Sequence, residues 1–594
     1  MFTAEKMLTQ KFLRKFIQWR LKPQSSYYLL IILSIITGFL AGLGATIIKH
    51  SVKFIEVFLE NHFSNNWYQL IFPIIGITLA VVFMTFILKQ QVNHGIPSIL
   101  YAISKNSGYM KPHNLYSSII TSSLTVGFGG SVGLEGPTVA TGGAIGSTLG
   151  TIFKLNYRQK IILLGAASAG AMSAIFKAPM AGVVFALEVI MIDLTTMSII
   201  PILLASASAS FTSFLLLGTN VLYPFQLTHP FQLDQTPYFI ILGVITGMIA
   251  VYFTKMYIII ERFFHNLPNK WIRLLIGGLI LGVLIFLFPA LYGEGYYTIN
   301  AALHGNYSYL FDKSIFEPFR GQLLATVILL VCLIIFKVIA TSTTFGAGGV
   351  GGIFAPTLFT GANTGLLLAI FFNYLGYSIP PSNSALVGMA GTIAGVLLAP
   401  LTGIFLISEI THGYDLLMPL FITSTISYIT ARLFIKNNVY SIQLARRGEL
   451  LTHNADKNML YLINIRELIE TNFIPVHPND TLGDLVKAVA NSHRNLFPVV
   501  DESGHFLGIV NLDRIRKIMF KPELYNKIHV KELMSVPDVV AYIDESAESI
   551  AEKLQKYSMF NIAILDKNHR YLGFISRANL FSKYRSLLRQ FSAN

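Results

Sequence analysis

The sequence has few charged residues and almost no cysteine. Charged side chains make up 12% of the 594 residues, against about 25% in soluble domains, while hydrophobic side chains make up 53%. A soluble chain with so little charge could not solvate its own surface. The composition therefore excludes a soluble enzyme, a disordered protein and a nucleic-acid-binding protein, although the formal net charge is +14. We expect lipid to surround most of the chain.

The single cysteine, Cys332, excludes a disulfide framework and argues against a metal site built on thiolates, so that no metal is expected. A cleavable signal peptide is not expected either, because the first apolar run, 27–48, has the length of a membrane span. Three further runs without Asp, Glu, Lys or Arg predict spans at 67–88, 235–254 and 321–336. Shorter apolar segments broken by Gly or Pro predict tilted or partial helices, which survive at membrane depth only when protein or a cavity surrounds them.

Composition divides the chain into a membrane part and a soluble C-terminal part. Residues 1–26 form a basic segment, which by the positive-inside bias predicts a cytoplasmic N-terminus. Residues 27–440 are expected to form the transmembrane domain, with repeat halves at about 27–220 and 235–440. After a linker at 441–465 charges return, and two similar segments follow at 466–520 and 528–590. We expect a multi-pass protein of the plasma (inner) membrane with both termini in the cytoplasm.

Two glycine-rich segments, 127–150 and 346–361, reveal an internal repeat. Each contains Pro-Thr-x-x-Thr-Gly, at 137–142 and at 356–361. Downstream, Ala-Pro-Met-Ala-Gly-Val-Val-Phe-Ala-Leu-Glu (178–188) corresponds to Ala-Pro-Leu-Thr-Gly-Ile-Phe-Leu-Ile-Ser-Glu (399–409). A two-fold repeat at an offset of about 220 residues, with interrupted helices at matching places, is typical of a transport site between two halves.

The glycines and prolines of the repeat suit a helix that begins inside the membrane. Such a helix presents free N–H groups and the positive end of its dipole, which together attract an anion. Glycine lets the backbone approach the ion, and Pro137 and Pro356 suit a first helical turn. Helix packing is the alternative use of glycine, and for Gly142, Gly143 and Gly146 both explanations stay open.

Glu135 is the only charged side chain between Lys111 and Lys154. An ionisable group inside a membrane segment is a functional-site hypothesis by default. At a helix start between Gly133 and Gly136, its carboxylate can take the place of an anion. It would then be a gate that opens by swinging away or by protonation. The alternative is a structural carboxylate at a helix N-cap.

The chain resembles the CLC family of chloride channels and anion/proton antiporters, followed by a pair of CBS domains, over about residues 27–590. The resemblance rests on His-Gly-Ile-Pro at 94–97, Gly-Leu-Glu-Gly-Pro at 133–137, Gly-Gly-Ile-Phe-Ala-Pro at 351–356 and Tyr440 in Asn-Asn-Val-Tyr-Ser. It implies an α-helical polytopic membrane protein, a CLC-type inverted repeat with many tilted and broken helices. It further implies a homodimer with one anion pathway per subunit, and a cytoplasmic α/β CBS pair.

The resemblance also implies site residues. Glu135 would be the gating glutamate, and a dehydrated chloride would be held by the backbone N–H groups of Ile353 and Phe354 and by the Tyr440 hydroxyl. A lone tyrosine at a membrane boundary is otherwise an interfacial anchor. The residues expected to form the anion site are His94, Gly95, Ile96, Gly133, Gly136, Gly352, Ile353, Phe354 and Tyr440.

Three residues depart from the family pattern. His94 stands where the family usually has a serine, and imidazole changes its charge near a pKa of about 6.5, which puts selectivity and pH response in doubt. Alternatively, His94 turns away to pair with a backbone carbonyl. Leu134 replaces the arginine before the gating glutamate. Val189 follows Glu188 where proton-coupled members generally carry a second glutamate, and valine cannot bind a proton.

From Val189 we predict a passive chloride channel gated by Glu135, with a chloride/proton antiporter as the alternative. An enzyme is not expected. The segment 129–133 fits Gly-x-Ser-x-Gly, so that an intramembrane serine protease is a remote alternative, although no Ala-His-x-x-Gly segment follows. Lys177 and Lys337 are possible vestibule charges unless they snorkel to an interface. Glu188 and its repeat equivalent, Glu409, are expected to be structural caps.

The CBS pair departs from the nucleotide-binding pattern of its family. Such pairs usually bind adenine nucleotides through a Thr or Ser and a ribose-binding Asp after the second strand. Asn511 and Ser576 stand at the first of these positions, and Arg514 and Asn579 at the second. Without that carboxylate, nucleotide binding should be weak or absent and no cofactor is expected. The expected partners are chloride or a similar small anion, the lipid bilayer and a second copy of the chain, but no nucleic acid.

Overall fold

The computed structural model describes residues 23–63, 68–90, 92, 95–190, 195–218, 230–312, 314–411, 413–442 and 463–592. The chain folds as two compact units, Met1–Leu450 and Leu451–Asn594. Most of the predicted basic segment and most of the predicted linker lie outside the described residues.

The described part of the first unit is built from helices. They are α1 (Pro23–His62), α2 (Tyr68–Val82), α3 (Ile96–Lys105), α4 (Asn114–Gly127), α5 (Glu135–Ile152), α6 (Tyr157–Phe176), α7 (Pro179–Glu188), α8 (Thr196–Leu217), α9 (Thr236–Asn266), α10 (Lys270–Leu287), α11 (Tyr296–Leu303), α12 (Leu323–Gly346), α13 (Phe354–Tyr374), α14 (Pro381–Leu397), α15 (Pro400–Ile410) and α16 (Leu417–Phe434). Within this described part, nine helices are long and apolar enough to cross a membrane, and α7 and α15 are shorter apolar helices. The prediction of a polytopic helical membrane protein with partial helices is confirmed.

The two halves repeat the same run of three helices, α5–α7 and α13–α15. In both runs the middle helix ends at a residue in the left-handed conformation, Lys177 (φ 57°) and Leu398 (φ 53°), and the next helix begins with proline. Proline at the first helical position costs no hydrogen bond, because the N–H it lacks has no partner there. The repeat read from the sequence is therefore a repeat of structure.

The short helices α7 and α15 cap one another. Glu188, at the end of α7, accepts the backbone N–H of Thr402 at 2.7 Å, in the first turn of α15. Glu409, near the end of α15, accepts the N–H of Ala181 at 2.8 Å, in the first turn of α7. The expectation that both glutamates are caps is confirmed. Their reciprocal exchange shows that the two halves are related by an approximate two-fold axis.

Close packing explains the glycines inside α5. A Cβ on Gly142 would lie 2.6 Å from the Ala167 carbonyl oxygen, and one on Gly146 would lie 2.7 Å from the Leu163 carbonyl oxygen. These positions let α5 and α6 approach each other closely, as small residues do between membrane helices. A Cβ on Gly143 would meet side chains of neighbouring elements at 3.1 Å. The packing explanation is thus the one that the structure supports for all three.

The second unit contains two α/β modules, as predicted. The first has α17 (Leu482–Ala490), the antiparallel pair β1 (Leu496–Val500) and β2 (Phe506–Asn511), α18 (Leu512–Ile515) and α19 (Val530–Leu533). The second has β3 (Ala541–Tyr542) parallel to β4 (Asn561–Leu565), β5 (Tyr571–Ser576) antiparallel to β4, and the helices α20 (Ala547–Lys556) and α21 (Arg577–Ser592). The hairpin turns of the two modules pair through His505 and Arg570.

Candidate functional site

The two glycine-rich loops meet just before their helices begin. The Gly133 N–H donates to the Gly352 carbonyl at 2.8 Å, and the Gly352 N–H donates to the Gly133 carbonyl at 2.6 Å. Each glycine lies two residues before a helix start, Glu135 for α5 and Phe354 for α13. The antiparallel bridge therefore sets two helix N-termini side by side, each with free N–H groups and a positive dipole end.

A third helix start joins this pair. Gly95 precedes α3 with a φ of 35°, which favours glycine, and a Cβ there would lie 2.3 Å from the Gly136 carbonyl oxygen. The backbone before α3 thus touches the first turn of α5. The structure brings together the predicted residues Gly95, Ile96, Gly133, Gly136, Gly352, Ile353 and Phe354. His94 lies outside the described residues.

The Glu135 carboxylate lies in the junction of the two loops. The side chain is fully buried, and its Oε1 accepts a hydrogen bond from the Tyr296 hydroxyl at 3.0 Å. Its Oε2 lies so close to the loops that a Cβ on Gly133 would be 2.0 Å away and one on Gly352 would be 3.0 Å away. This oxygen has no hydrogen-bond partner among the described residues. A buried carboxylate oxygen therefore occupies the place toward which the two glycine loops converge.

Tyr440 is buried in the same unit. Only 6% of the residue is exposed, and its hydroxyl has no hydrogen-bond partner within the described part of the chain. Glu135 and Tyr257 lie within electrostatic range of this hydroxyl. This burial inside the protein argues against an interfacial anchor, whose hydroxyl would face water and lipid headgroups. The site thus holds one unpartnered buried donor and one unpartnered buried carboxylate oxygen.

Lys337 was expected to be a vestibule charge or to reach an interface, and the structure places it elsewhere. The residue is fully buried in the middle of α12, and its ammonium donates to the Ser131 hydroxyl at 2.9 Å and to the Gly293 carbonyl at 3.0 Å. The ammonium also lies 4.8 Å from the centre of the Phe359 ring. It neither snorkels to an interface nor faces a vestibule, because the neighbouring loops fold over it and supply the oxygen acceptors. The charge fixes the loop that contains Gly293.

Lys177 and Ser131 have structural partners. The Lys177 ammonium donates to the Gly218 carbonyl at 2.7 Å and to the Leu217 carbonyl at 3.3 Å, at the C-terminal end of α8. Ser131 is fully buried, and its hydroxyl donates to the Leu291 carbonyl at 2.7 Å. A nucleophilic serine in this motif is exposed on a strand-to-helix turn, so the geometry opposes the protease alternative.

A second carboxyl group, not predicted from the sequence, lies beside the gate. Glu294 lies in the loop before α11, and its Oε1 accepts the Leu134 N–H at 3.1 Å. Leu134 is the N-cap residue of α5, directly before Glu135. A signal was present, because Gly-Glu-Gly at 293–295 places a lone charge between glycines, as the segment around Glu135 does. Tyr296, the donor to Glu135, begins α11 directly after this loop and was not predicted either.

The residues that were candidates for binding nucleotide form hydrogen bonds with other groups of the CBS modules. The Asn511 side chain accepts the N–H of Asp513 at 3.2 Å and caps α18. The Ser576 hydroxyl donates to the Glu470 carboxylate at 2.6 Å and accepts the Asn579 N–H at 3.1 Å. These groups serve the fold of the modules themselves.

Known proteins share both the fold and the sequence pattern. The family model described as voltage gated chloride channel matches residues 76–432, and the CBS domain model matches residues 465–521 and 530–586. A solved structure titled as a eukaryotic CLC transporter aligns with a TM-score of 0.61 at 18% identity, over 93% of this chain and 98% of that one.

Two relatives from bacteria each match about two thirds of this chain. A putative chloride channel protein ClcB-like from Ralstonia nicotianae is 30% identical over 64% of this chain and 87% of its own length. An H(+)/Cl(-) exchange transporter ClcA from Vibrio vulnificus is 29% identical over 70% of this chain and 89% of its own length. Together with the buried glutamate between paired helix N-termini, these matches show that the chain is a multi-pass membrane protein of the voltage-gated chloride channel (CLC) family that ends in two CBS domains.

Proposed function

We propose that this CLC protein exchanges chloride for protons across the membrane, and that Glu135 is the group that takes up the proton. The sequence alone favoured a passive channel, because Val189 cannot hold a proton. The Vibrio relative named as an exchange transporter supports antiport instead, over most of its length. Val189 itself is a fully buried residue at the end of α7.

The observation that carries this proposal is the position of the Glu135 carboxylate. It is fully buried between two helix N-termini, with Oε2 free of hydrogen-bond partners among the described residues. An anion that moves into this place must displace a group of the same charge. Moving the bare carboxylate out of its hydrogen bond is costly in a buried site, whereas the protonated form has no charge for the anion to oppose. Entry of the anion and uptake of a proton are therefore linked.

The anion ligands would be backbone and hydroxyl donors. The free N–H groups of Ile353 and Phe354 at the start of α13, and the buried Tyr440 hydroxyl, suit a dehydrated chloride. Because these donors carry only partial charges, they bind an anion without trapping it. His94 stays a prediction as an additional ligand. We further propose a homodimer with one pathway per subunit in the plasma membrane, with both termini in the cytoplasm.

The test is a measurement of both ions in the same vesicles. Purified full-length protein in liposomes loaded with chloride is diluted into low chloride, and chloride efflux and proton uptake are recorded together. We expect proton uptake at a fixed ratio to chloride efflux, and we expect it to stop when Glu135 is replaced by Gln. The control is Glu317→Gln, because Glu317 lies on the protein surface beside Arg320. Chloride efflux without proton uptake in the wild type would contradict the proposal.

The CBS pair is proposed to act as a dimerising and coupling platform with weak or no nucleotide affinity. The engagement of Asn511, Ser576 and Asn579 in capping and loop hydrogen bonds supports this. Calorimetric titration of the full chain in detergent with ATP should give no saturable heat at micromolar nucleotide. Micromolar binding would overturn this part of the proposal.

A further inference from the structure

Glu294 is a second carboxyl group held against the gate. Its Oε1 accepts the N–H of Leu134, the residue directly before Glu135, at 3.1 Å. Gly293 (φ 59°) and Gly295 (φ 88°) flank it, and these left-handed conformations turn the loop so that the side chain enters the site. Lys337 fixes the same loop through its hydrogen bond to the Gly293 carbonyl at 3.0 Å. The surrounding residues therefore fix the position of Glu294.

The charged groups around Glu294 come from every side. Glu135 on α5, and Lys49 and Glu56 on α1, lie within electrostatic range of its carboxyl group. Lys337 lies beside it on α12, and its ammonium donates to the Ser131 hydroxyl and to loop carbonyls. The Lys49 ammonium donates to the Ile175 carbonyl. Both ammonium groups are therefore held by neutral acceptors, and they offset the two carboxylates through space.

The carboxyl groups form a series from the gate toward one end of α1. Glu60 is exposed near that end, Glu56 lies one turn earlier and is half-buried, and Glu294 interacts with Glu56 on one side and with Glu135 on the other. This is the end of α1 opposite to the basic N-terminal segment, and the positive-inside bias predicts it to be extracellular. Glu56 and Glu294 therefore come between Glu60 and Glu135 in this series.

We propose that Glu294 is a second proton-binding carboxyl group of the transport site, one that takes up a proton from the α1 side and passes it to Glu135. The proposal deepens the proposed antiport and rests on it. In the transfer, protonated Glu294 loses its proton and becomes a carboxylate, while the Glu135 carboxylate gains that proton and becomes neutral. The Leu134 N–H then stabilises the charge left on Glu294.

The physical reason for the transfer lies in the like charges of the pair. Glu135 is fully buried and Glu294 is half-buried, so that each carboxylate raises the cost of ionising the other and a proton on one can pass to the other. An arriving anion that displaces the Glu135 carboxylate draws this proton toward Glu135. On the inner side, Val189 cannot bind a proton. A relay on the α1 side would supply protons to the gate from the other side.

The test is Glu294→Gln in the full chain, with chloride and proton fluxes recorded separately in liposomes. Glutamine keeps an oxygen that accepts the Leu134 N–H but cannot carry a proton. We expect the ratio of proton flux to chloride flux at fixed pH to fall about tenfold or more in this variant. A coupling ratio equal to that of the wild type would overturn the proposal and leave the antiport standing. A wild type without proton flux would overturn both.

Two further variants separate relay chemistry from a structural role. If Glu294→Gln loses both fluxes, Glu294→Asp decides: recovery of both supports a titrating carboxyl group, and no recovery overturns the relay. In a Glu135→Gln background, adding Glu294→Gln should leave the pH profile of chloride flux unchanged, because a relay acts only through its acceptor. An additive further change would contradict the transfer from Glu294 to Glu135. Glu317→Gln serves as the matched control.

Discussion

A methyl group at Gly133 should push the gate out of its closed position. A Cβ there would lie 2.0 Å from Glu135 Oε2, whereas ordinary contact begins at 3.4 Å, so that the carboxylate oxygen must move by about 1.4 Å. Gly133 is not among the glycines with positive φ, and alanine fits its backbone without strain. The atom in the way is the end of a flexible side chain, which can rotate. Gly133→Ala therefore perturbs the gate while sparing the bridge to Gly352.

The size of the effect follows from the hydrogen bond that the movement breaks. The Tyr296 hydroxyl donates to Glu135 Oε1 at 3.0 Å, and a hydrogen bond to a charged group contributes about 1.5–3 kcal/mol. Its loss shifts the population of the closed carboxylate by about 10- to 100-fold. We expect chloride flux at neutral pH to rise by about tenfold or more, with a weaker dependence on pH and a lower ratio of protons to chloride.

The assay is chloride efflux from proteoliposomes between about pH 5 and pH 8, the range over which buried carboxyl groups and histidines titrate. The matched control is Gly44→Ala, because a Cβ on Gly44 would meet its nearest neighbour, the Thr141 methyl group, at 3.4 Å. An unchanged flux and pH profile in Gly133→Ala would refute the placement of the carboxylate. A lower flux with the wild-type pH profile would refute the idea that the carboxylate blocks the pathway.

Three smaller changes test other parts of the structure. Tyr296→Phe removes the donor to Glu135 and should raise chloride flux about threefold or more in the same assay; an unchanged flux would show that the bond does not hold the gate. Glu188→Ala uncaps α15 and should lower the stability of the detergent-solubilised protein by about 1 kcal/mol in denaturant unfolding, whereas an unaltered midpoint would contradict the capping role. Burial opposes ionisation of Glu545, but hydrogen bonds from Lys553 at 2.7 Å and from Ser549 at 2.8 Å outweigh it and hold the pKa of this carboxyl below its ordinary value. A carboxyl group whose pKa is lowered by folding stabilises the folded state above its unfolded pKa of about 4.3, and this stabilisation is lost as the pH falls through the lowered pKa. Glu545→Gln should therefore destabilise its module by about 1 kcal/mol at pH 7 and match the wild type below about pH 3. A difference that persists in acid would contradict this.

The sequence predicted the parts of the site that depend on local order along the chain. Glycine followed by a proline in the first turn predicted two helix starts, and the structure begins α5 at Glu135 and α13 at Phe354. The repeated Ala-Pro segments predicted paired short helices, because proline fixes the first turn whatever packs around it. Even the capping role of Glu188 and Glu409 follows from their equivalent places in the repeat.

The contacts that could not be predicted are those between segments that lie far apart in the sequence. Glu294 is 160 residues from Leu134 in sequence, and only the folded loop brings the two together. Lys337 interrupts an apolar run, and hydropathy does not say whether a helix face meets lipid or protein. The exchange of caps between α7 and α15 likewise requires the two-fold relation of the halves. Side-chain partners across the repeat are set by tertiary packing, which local patterns do not encode.

The reversal potential of the reconstituted protein tests proton-coupled exchange most directly. Currents are recorded across a planar bilayer with a fixed chloride gradient, first at equal pH on both sides and then with a pH gradient. Proton-coupled exchange predicts that the reversal potential differs from the chloride equilibrium potential and moves when the pH gradient is imposed. Glu135→Gln should abolish this movement. A wild-type reversal potential that stays at the chloride equilibrium potential under a pH gradient would contradict proton-coupled exchange.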